Sequence, residues 1–246
     1  EGFDRKIWSY ALEDDTLILR YFSPHMEENF PGNLMAEARY SLNDNALVLE
    51  YTACADAKTP INLTNHSYFN LGGEGSGTVL NHRLRLLSDR YTAIDGDMLP
   101  VSLEPVEGTP FDFRQGKRIG EDIDADFPQL RLGHGYDHNY CLDSQDKVSL
   151  FASVYCPETG ILLDAYTDLP GVQFYSGNFL DQNGKRSHYG KRSGFCLETQ
   201  FYPDSVNHPE FPSPFFNDGE VYESTTIYRF SVSSGFAEDS RKEIKD

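Results

Sequence analysis

Residues 147–155 read KVSLFASVY, and this stretch carries the pattern that decides the fold. Apolar side chains recur at every second position from Val148 to Val154, with polar side chains between them and Phe151 as the exception. A period of two residues is typical of a β-strand that buries one face. We therefore expect a strand here, packed on one side against a core.

The same kind of pattern continues in both directions along the chain. Comparable runs predict further strands at 16–22, 34–42, 46–54, 79–87, 137–142, 160–167, 171–176, 193–199 and 225–233. Turn-forming residues separate them, as in Asn43-Asp44-Asn45. Residues 117–130 have room for a helical turn or two, and no segment has the pattern of a long amphipathic helix. The sequence predicts an all-β protein, a large antiparallel β-sandwich that forms a single domain over residues 1–246.

The charge of the chain restricts its partners. Asp and Glu total 39 and Lys and Arg total 21, so the formal net charge is −18. Such a surface repels nucleic acids and anionic membranes, whereas a neutral small molecule is compatible with it. No apolar stretch approaches 18 residues and the N-terminus lacks a secretory pattern, so we expect no membrane association.

The cysteines indicate a compartment. Cys54, Cys141, Cys156 and Cys196 are isolated from one another and lie in apolar or aromatic surroundings. We expect buried free thiols rather than disulfides or a zinc site, which favours a reducing, cytoplasmic location.

Two residues stand out as candidates for proton transfer. His66 is flanked by Asn65 and Ser67, whose side chains can fix an imidazole ring by hydrogen bonds, although a satisfied interior histidine has the same pattern. Glu198 lies in an apolar strand, where burial raises a carboxyl pKa into the range of a general base, unless it faces water at the strand end. Together they form an acid–base pair suited to moving protons between two oxygens.

Three other chemistries are poorly supported. His134 and His138 have a metal-ligand spacing only on a helix, and Gly135 and the β pattern disfavour a helix there, so we expect no metal. The glycines of residues 72–77 have no helix after them, which disfavours a dinucleotide cofactor. The G-x-S-x-G motif of serine hydrolases is absent.

Several long motifs, taken together, resemble the aldose 1-epimerase (galactose mutarotase) family. They are GFDRKIW (2–8), TPINLTNHSYFNLGG (59–73), GYDHNYCL (135–142), TDLPGVQFYSGNFLD (167–181), SGFCLETQFYPDSVNHPEFPSPFF (193–216) and DGEVYESTTIYRFSV (218–232). They occur in the family's order across almost the whole chain. The resemblance implies a large β-sandwich that interconverts the α and β anomers of free aldoses such as galactose and glucose, without a cofactor.

The resemblance also implies roles for four residues. His66 matches the family's general acid and Glu198 its general base, while Asp137 and Gln173 match residues that bind the sugar hydroxyls. The family domain begins with further strands that carry an Asn-Arg pair and a His-Gly-Gly motif, so we expect this chain to lack the N-terminal part of that domain and to be a weak mutarotase without it.

Two alternatives remain open at this point. One is a non-catalytic carbohydrate-binding or interaction domain with the same fold. The other is an epimerase for sugar phosphates, which the net charge and the lack of an arginine cluster near the motifs disfavour.

Overall fold

The computed structural model describes residues 1–143, 147–184 and 186–236, and β-strands dominate it. In chain order the strands are β1 (Ser9–Glu13), β2 (Thr16–Ser23), β3 (Leu34–Asn43), β4 (Ala46–Ala55), β5 (Thr59–Pro60), β6 (Arg83–Leu86), β7 (Arg90–Ile94), β8 (Pro100–Pro105), β9 (Lys117–Arg118), β10 (Asp137–Cys141), β11 (Ser149–Tyr155), β12 (Ile161–Thr167), β13 (Gly171–Tyr175), β14 (Gln182–Asn183), β15 (His188–Tyr189), β16 (Cys196–Gln200), β17 (Phe215–Phe216) and β18 (Val221–Val232). One short helix, α1 (Pro128–Leu132), and 3₁₀ turns at Phe3–Arg5, Glu27–Asn29 and Ser205–Asn207 complete the regular structure of these residues.

The strands form two large sheets and two small ones. The larger sheet has nine strands in the order β1-β2-β3-β4-β18-β12-β11-β6-β9, and the second has five in the order β16-β13-β10-β7-β8. Strands β14 and β15 pair with each other, as do β5 and β17. The pairing is antiparallel, as in the sheet of β10, β13 and β16. This arrangement confirms the prediction of a large antiparallel all-β fold.

The main hydrophobic core lies between the two large sheets. Leu84 and Val154 enter it from the nine-stranded sheet, and Tyr140, Phe174 and Leu197 enter it from the five-stranded sheet. Because side chains alternate along a strand, the residues between these core positions point to the opposite face of the five-stranded sheet. That opposite face of β10, β13 and β16 carries the candidate site.

Most predicted strands are present, with shifted ends. Strand β16 starts at Cys196 rather than at 193, and the 79–87 strand shrinks to β6. Among the strands longer than two residues, the prediction missed β1, β7 and β8. The helical turn expected in 117–130 appears as α1, which begins only at Pro128, a residue whose fixed φ suits the first position of a helix.

A β-bulge explains the exception in the opening pattern. Leu150 pairs with Tyr166 and Ala152 pairs with Ala165, so Phe151 has no residue opposite it on β12. The extra residue shifts the side-chain alternation by one, and Phe151 is buried in the main core. The break in alternation at Phe151 is therefore the bulge itself, and the strand prediction holds on both sides of it.

Candidate functional site

Three neighbouring strands place polar side chains in adjacent rows. Glu198 on β16 lies opposite Gln173 on β13, and Gln173 lies opposite Asn139 on β10. In the next row Cys196 lies opposite Tyr175, which lies opposite Asp137. Directly opposed residues of an antiparallel pair share a face. The antiparallel register therefore collects residues from distant parts of the chain on one surface.

His66 reaches this surface from a segment without regular secondary structure. Shortly after it, Phe69 forms an isolated antiparallel bridge with Phe195, the residue that precedes β16. Just before it, the buried Asn65 amide donates to the hydroxyl oxygen of Tyr228 at 3.1 Å. The segment is thus fixed on both sides of the histidine, next to β16.

The His66 ring lies between a carboxylate and a thiol. Its Nε2 is 3.6 Å from Oε1 of Glu198, and its Nδ1 is 3.4 Å from Sγ of Cys196. The His66 side chain is 54% exposed, whereas that of Glu198 is 11% exposed. The pair therefore combines a buried carboxylate with an imidazole that opens toward solvent.

Two tyrosines border the histidine. The Tyr68 ring stacks on His66 with centroids 5.0 Å apart, and Tyr175 meets it edge-on at 6.1 Å. The aromatic rings limit the tilt of the imidazole.

Burial makes Glu198 a strong base for a carboxylate. Loss of hydration raises the pKa of Glu198 to about 8, and the nearby charge of Asp137 contributes to the rise. Burial likewise raises the pKa of Asp137, although the hydrogen bond from Gln173 and the proximity of His66 oppose that rise. Glu198 is therefore a stronger base than an ordinary carboxylate, and its basic form becomes the main one as the pH rises through about 8.

Asp137 and Gln173 form a hydrogen-bonded pair beside the base. Nε2 of Gln173 donates to Oδ1 of Asp137 at 2.8 Å. Oε1 of Gln173 and both amide atoms of Asn139 are buried and have no hydrogen-bond partner among the described residues. Such groups can bind hydroxyl groups, which both donate and accept.

The structure brings together all four predicted site residues. His66 is exposed rather than interior, so the alternative of a satisfied core histidine is wrong for it. Glu198 is buried on a strand, so the alternative of a solvent-facing glutamate is wrong as well. The interior histidines are His82 and His138, and burial lowers the pKa of each, to about 4 and about 3 respectively.

Three residues of the site were not predicted: Cys196, Tyr68 and Tyr175. Each lies two residues from a predicted site residue: Cys196 from Glu198, Tyr175 from Gln173, and Tyr68 from His66. The two-residue period of extended chain was the signal that could have identified them.

The site also contains the donor set that best suits a cation. One ligand atom each of His66, Cys196 and Glu198 lies within 4.8 Å of the others. Among the described residues, these three form the cluster of His, Cys, Asp or Glu side chains that is close enough to hold a metal ion. Burial raises the pKa of both the Cys196 thiol and the Glu198 carboxyl, so each holds a proton that a metal must displace. We assign no metal to this group, and the expectation of a metal-free site stays a prediction.

His134 and His138 are not brought together as ligands. His138 is buried and its Nε2 lies 3.1 Å from Oε1 of Gln129, while the exposed His134 packs edge-on against Phe179. Neither belongs to a cation-binding group in the part of the chain that the structure describes.

A cavity of about 910 Å³ has His66 among its lining residues. It runs along β2 to β4 and is lined by apolar side chains that include Trp8, Tyr40 and Ile61. Glu198, Asp137 and Gln173 are not among its lining residues. The polar rows of β10, β13 and β16, rather than this cavity, are therefore the candidate site.

Within the described residues, no helix is long and apolar enough to cross a bilayer.

Comparisons with known proteins identify the family of the chain. The family model for aldose 1-epimerase matches residues 2–229. Galactose mutarotase from Rattus norvegicus is 42% identical over 236 residues, which cover 94% of this chain and 68% of the relative. Aldose 1-epimerase from Escherichia coli K12 is 41% identical over 238 residues, with the same coverage.

Solved structures show the same fold. An aldose epimerase homologue from C. elegans superposes with a TM-score of 0.81 at 27% identity, over 92% of this chain and 69% of that one. Galactose 1-epimerase from Lactobacillus acidophilus gives a TM-score of 0.80 at 28% identity, over 94% and 68% of the respective chains.

Proposed function

The chain belongs to the aldose 1-epimerase family, and we propose that it interconverts the anomers of free aldoses with Glu198 as the general base and His66 as the general acid. The observation that carries these roles is the distance of 3.6 Å between Oε1 of Glu198 and Nε2 of His66. The anomeric hydroxyl oxygen and the ring oxygen of an aldose are bonded to the same carbon. An acid and a base that serve both oxygens must be close together, as these two groups are.

The reaction requires two coupled proton transfers. Glu198 accepts the proton of the anomeric hydroxyl while Nε2 of His66 donates a proton to the ring oxygen, and the bond between C1 and the ring oxygen breaks. Rotation about C1–C2 in the open aldehyde presents its other face. The ring closes when the ring hydroxyl returns its proton to His66 and Glu198 returns its proton to the carbonyl oxygen. Both residues end in their starting protonation states, so the cycle needs no cofactor.

The rest of the polar surface suits a neutral sugar. The hydrogen-bonded pair of Asp137 and Gln173 lies beside the base and offers a carboxylate acceptor and a buried carbonyl oxygen to hydroxyl groups. We propose that a sugar held there presents its anomeric hydroxyl to Glu198 and its ring oxygen to His66. We propose free galactose and glucose as substrates, because the named relatives are a galactose mutarotase and an aldose 1-epimerase.

Polarimetry tests the proposal directly. Freshly dissolved α-D-galactose and α-D-glucose should reach their equilibrium optical rotation faster with the protein than in buffer, in proportion to protein concentration. If the protein binds these sugars and leaves the rate unchanged, the chain is a carbohydrate-binding domain and the catalytic proposal is wrong.

The pH dependence should reflect the raised pKa of Glu198. Because the carboxylate form is the base, the rising limb of kcat/KM against pH should have its midpoint near pH 8. Replacing Asp137 with Asn removes a negative charge that raises this pKa, so the midpoint should move to lower pH even though sugar binding weakens. The measurement is kcat/KM by polarimetry from pH 5 to pH 10.

Asp143→Asn is the matched control for that shift. Asp143 is exposed just beyond β10, so its replacement changes the net charge equally without removing a charge beside Glu198. A midpoint that is the same in wild type, Asp137→Asn and Asp143→Asn contradicts the electrostatic coupling of Asp137 to the base.

We also propose a cytoplasmic location and a single domain. All four cysteines are free thiols, which supports a reducing compartment. Both large sheets contribute to one core, which supports a single domain over residues 1–246, although residues 144–146, 185 and 237–246 lie outside the described residues.

A further inference from the structure

We propose that Tyr68 is a positioning residue for the general acid: the face of its ring lies against the imidazole of His66 and favours the protonated form of that imidazole. This inference rests on the proposed role of His66 as the acid. Tyr68 follows His66 by two positions, in the same segment without regular secondary structure.

The proposed reaction sets a requirement on His66. Glu198 must have lost its proton while His66 still carries one, and burial raises the pKa of Glu198 to about 8. An unperturbed imidazole has a pKa of about 6.5, so most of it is neutral at pH 8. The acid therefore needs neighbours that favour its charged form.

Tyr68 is such a neighbour. The centroids of its ring and of the His66 ring lie 5.0 Å apart, and the two planes make an angle of 23°, so the faces are stacked. The face of an aromatic ring is negative, and a cation within about 6 Å of the ring centroid is attracted to it. A neutral imidazole gains less from the same contact. The stacking therefore favours the imidazolium.

The Tyr68 ring is held in this position from two sides. The next residue, Phe69, exchanges two backbone hydrogen bonds with Phe195, of 2.8 Å and 3.0 Å. The Tyr175 ring meets the Tyr68 ring at an angle of 75°, with centroids 6.2 Å apart. Burial raises the pKa of Tyr68 to about 12, so its hydroxyl group stays neutral while Glu198 titrates. Tyr68 therefore acts on the imidazole in the same way throughout that pH range.

The other groups around the imidazole are compatible with a positive charge on it. Besides Tyr68, the titratable side chains that face it are Cys196 and Glu198 from β16, Tyr175 from β13 and Asp137 from β10. The carboxylates attract the charge when they are ionised. Sγ of Cys196 lies 3.4 Å from Nδ1, and sulfur is a weak acceptor for the Nδ1 hydrogen of an imidazolium.

This arrangement agrees with the proton balance of the proposed reaction. The imidazolium has a hydrogen on each nitrogen, and Nε2 gives its hydrogen to the ring oxygen of the sugar. The hydrogen on Nδ1 remains, with the sulfur of Cys196 beside it, and Nε2 can take a proton back when the sugar ring closes. Tyr68 neither gives nor takes a proton in this cycle. It affects only the equilibrium between the charged and the neutral imidazole.

The proton on His66 can be followed directly. In protein with ¹⁵N-labelled histidine rings, an NMR titration gives the pH at which His66 loses its proton. In Tyr68→Leu, which lacks the aromatic face, this pH should fall by roughly 0.4–0.7 units, a two- to fivefold change typical of an exposed cation–π contact. In Tyr68→Phe, which keeps the face, it should stay close to the wild-type value. An unchanged titration in Tyr68→Leu overturns the inference, and so does an equal shift in both variants.

Two controls belong to this titration. His188 has a side chain that is also 54% exposed and lies 3.2 Å from Asp181, so its signals in the same spectra should titrate alike in all variants. Tyr10→Leu removes an exposed tyrosine from β1 and should leave the titration of His66 unchanged. If His188 also shifts in Tyr68→Leu, or His66 shifts equally in Tyr10→Leu, the effect is a general one and the inference is wrong.

Kinetics provide a second readout. At high pH, kcat/KM should fall as His66 loses its proton, and in Tyr68→Leu this falling limb should move to lower pH by the same amount as the titration. The rising limb, which belongs to Glu198, should stay in place, and Tyr68→Phe should behave like wild type. A lower kcat/KM at every pH, with both limbs in place, would mean that Tyr68 only contributes to sugar binding and would contradict the inference.

The readouts separate this inference from the proposed function. If the protein does not accelerate mutarotation, the roles of Glu198 and His66 are wrong, but the ¹⁵N signals still report whether Tyr68 favours the charged imidazole. If it does accelerate mutarotation and His66 titrates alike in Tyr68→Leu and wild type, the function stands and the inference about Tyr68 is wrong.

Discussion

Replacing Glu198 with Gln should lower kcat by about 10²–10⁴-fold, the usual contribution of a general base. The amide has nearly the same shape and still accepts a hydrogen bond through its carbonyl oxygen, but it cannot take a proton from the anomeric hydroxyl. Polarimetry at substrate saturation measures the loss. A turnover equal to that of wild type would show that another group is the base.

The same substitution should increase stability at alkaline pH. Folding raises the pKa of Glu198 from 4.5 to about 8, so the protonated form is favoured in the folded state. The stability that depends on this proton is complete below pH 4.5 and is lost as the pH rises through 8. Glutamine carries no such penalty, so the variant should gain on the order of 3 kcal/mol in free energy of unfolding above pH 8.

Urea unfolding at pH 5 and pH 9 measures this gain, which should be larger at pH 9. Glu223→Gln is the matched control, because Glu223 is an exposed residue on β18. Its free energy of unfolding should change by less than about 0.5 kcal/mol, as at most surface positions. Similar gains in the two variants would indicate relief of general charge repulsion rather than a buried carboxylate at position 198.

Replacing His66 with Asn should cause a loss of comparable size, about 10²–10⁴-fold in kcat. Asparagine is too short to place a nitrogen where Nε2 lies, 3.6 Å from Oε1 of Glu198, so the ring oxygen loses its proton donor. His66→Gln should retain more activity than His66→Asn, because its longer side chain can offer an amide hydrogen without releasing a proton.

His188→Asn is a close control for this loss. The His188 side chain is also 54% exposed, and its Nε2 lies 3.2 Å from a carboxylate oxygen of Asp181. Its replacement should leave kcat within twofold of wild type, by analogy with other surface changes that keep the fold. If His66→Asn and His188→Asn behave alike, His66 is not the acid.

The alternation of apolar and polar residues predicted much of the fold, because a strand that buries one face has this alternation in consecutive residues. It located β3, β4 and β12 within two residues at each end. It missed β7, which is buried on more than one face: Tyr91, Thr92, Ala93 and Ile94 are all buried, so no alternation is visible. It could not identify Phe151 as a bulge, since a bulge is defined by the partner strand.

Residue type and setting pointed to His66 and Glu198, whereas the resemblance alone pointed to Asp137 and Gln173. The type and setting of Glu198 indicated a base, and strand alternation could have added Cys196 to it. The pairing of Glu198 with Gln173, and the approach of His66 through the bridge at Phe69, depend on register between distant segments. The resemblance to a known family indicated which distant residues act together, and the pattern of neighbouring residues cannot show this.

The position of β18 has a consequence for the synthesis of the chain. This strand follows all the other described strands in sequence, yet it lies inside the larger sheet, between β4 and β12. Strand β4 therefore keeps an unpaired edge until residues 221–232 have left the ribosome. Translation of the intervening residues at roughly 5–20 per second takes on the order of ten seconds or more. During that time the first four strands can form hairpins, but the edge of β4 stays open to mispairing with other chains until β18 occupies it.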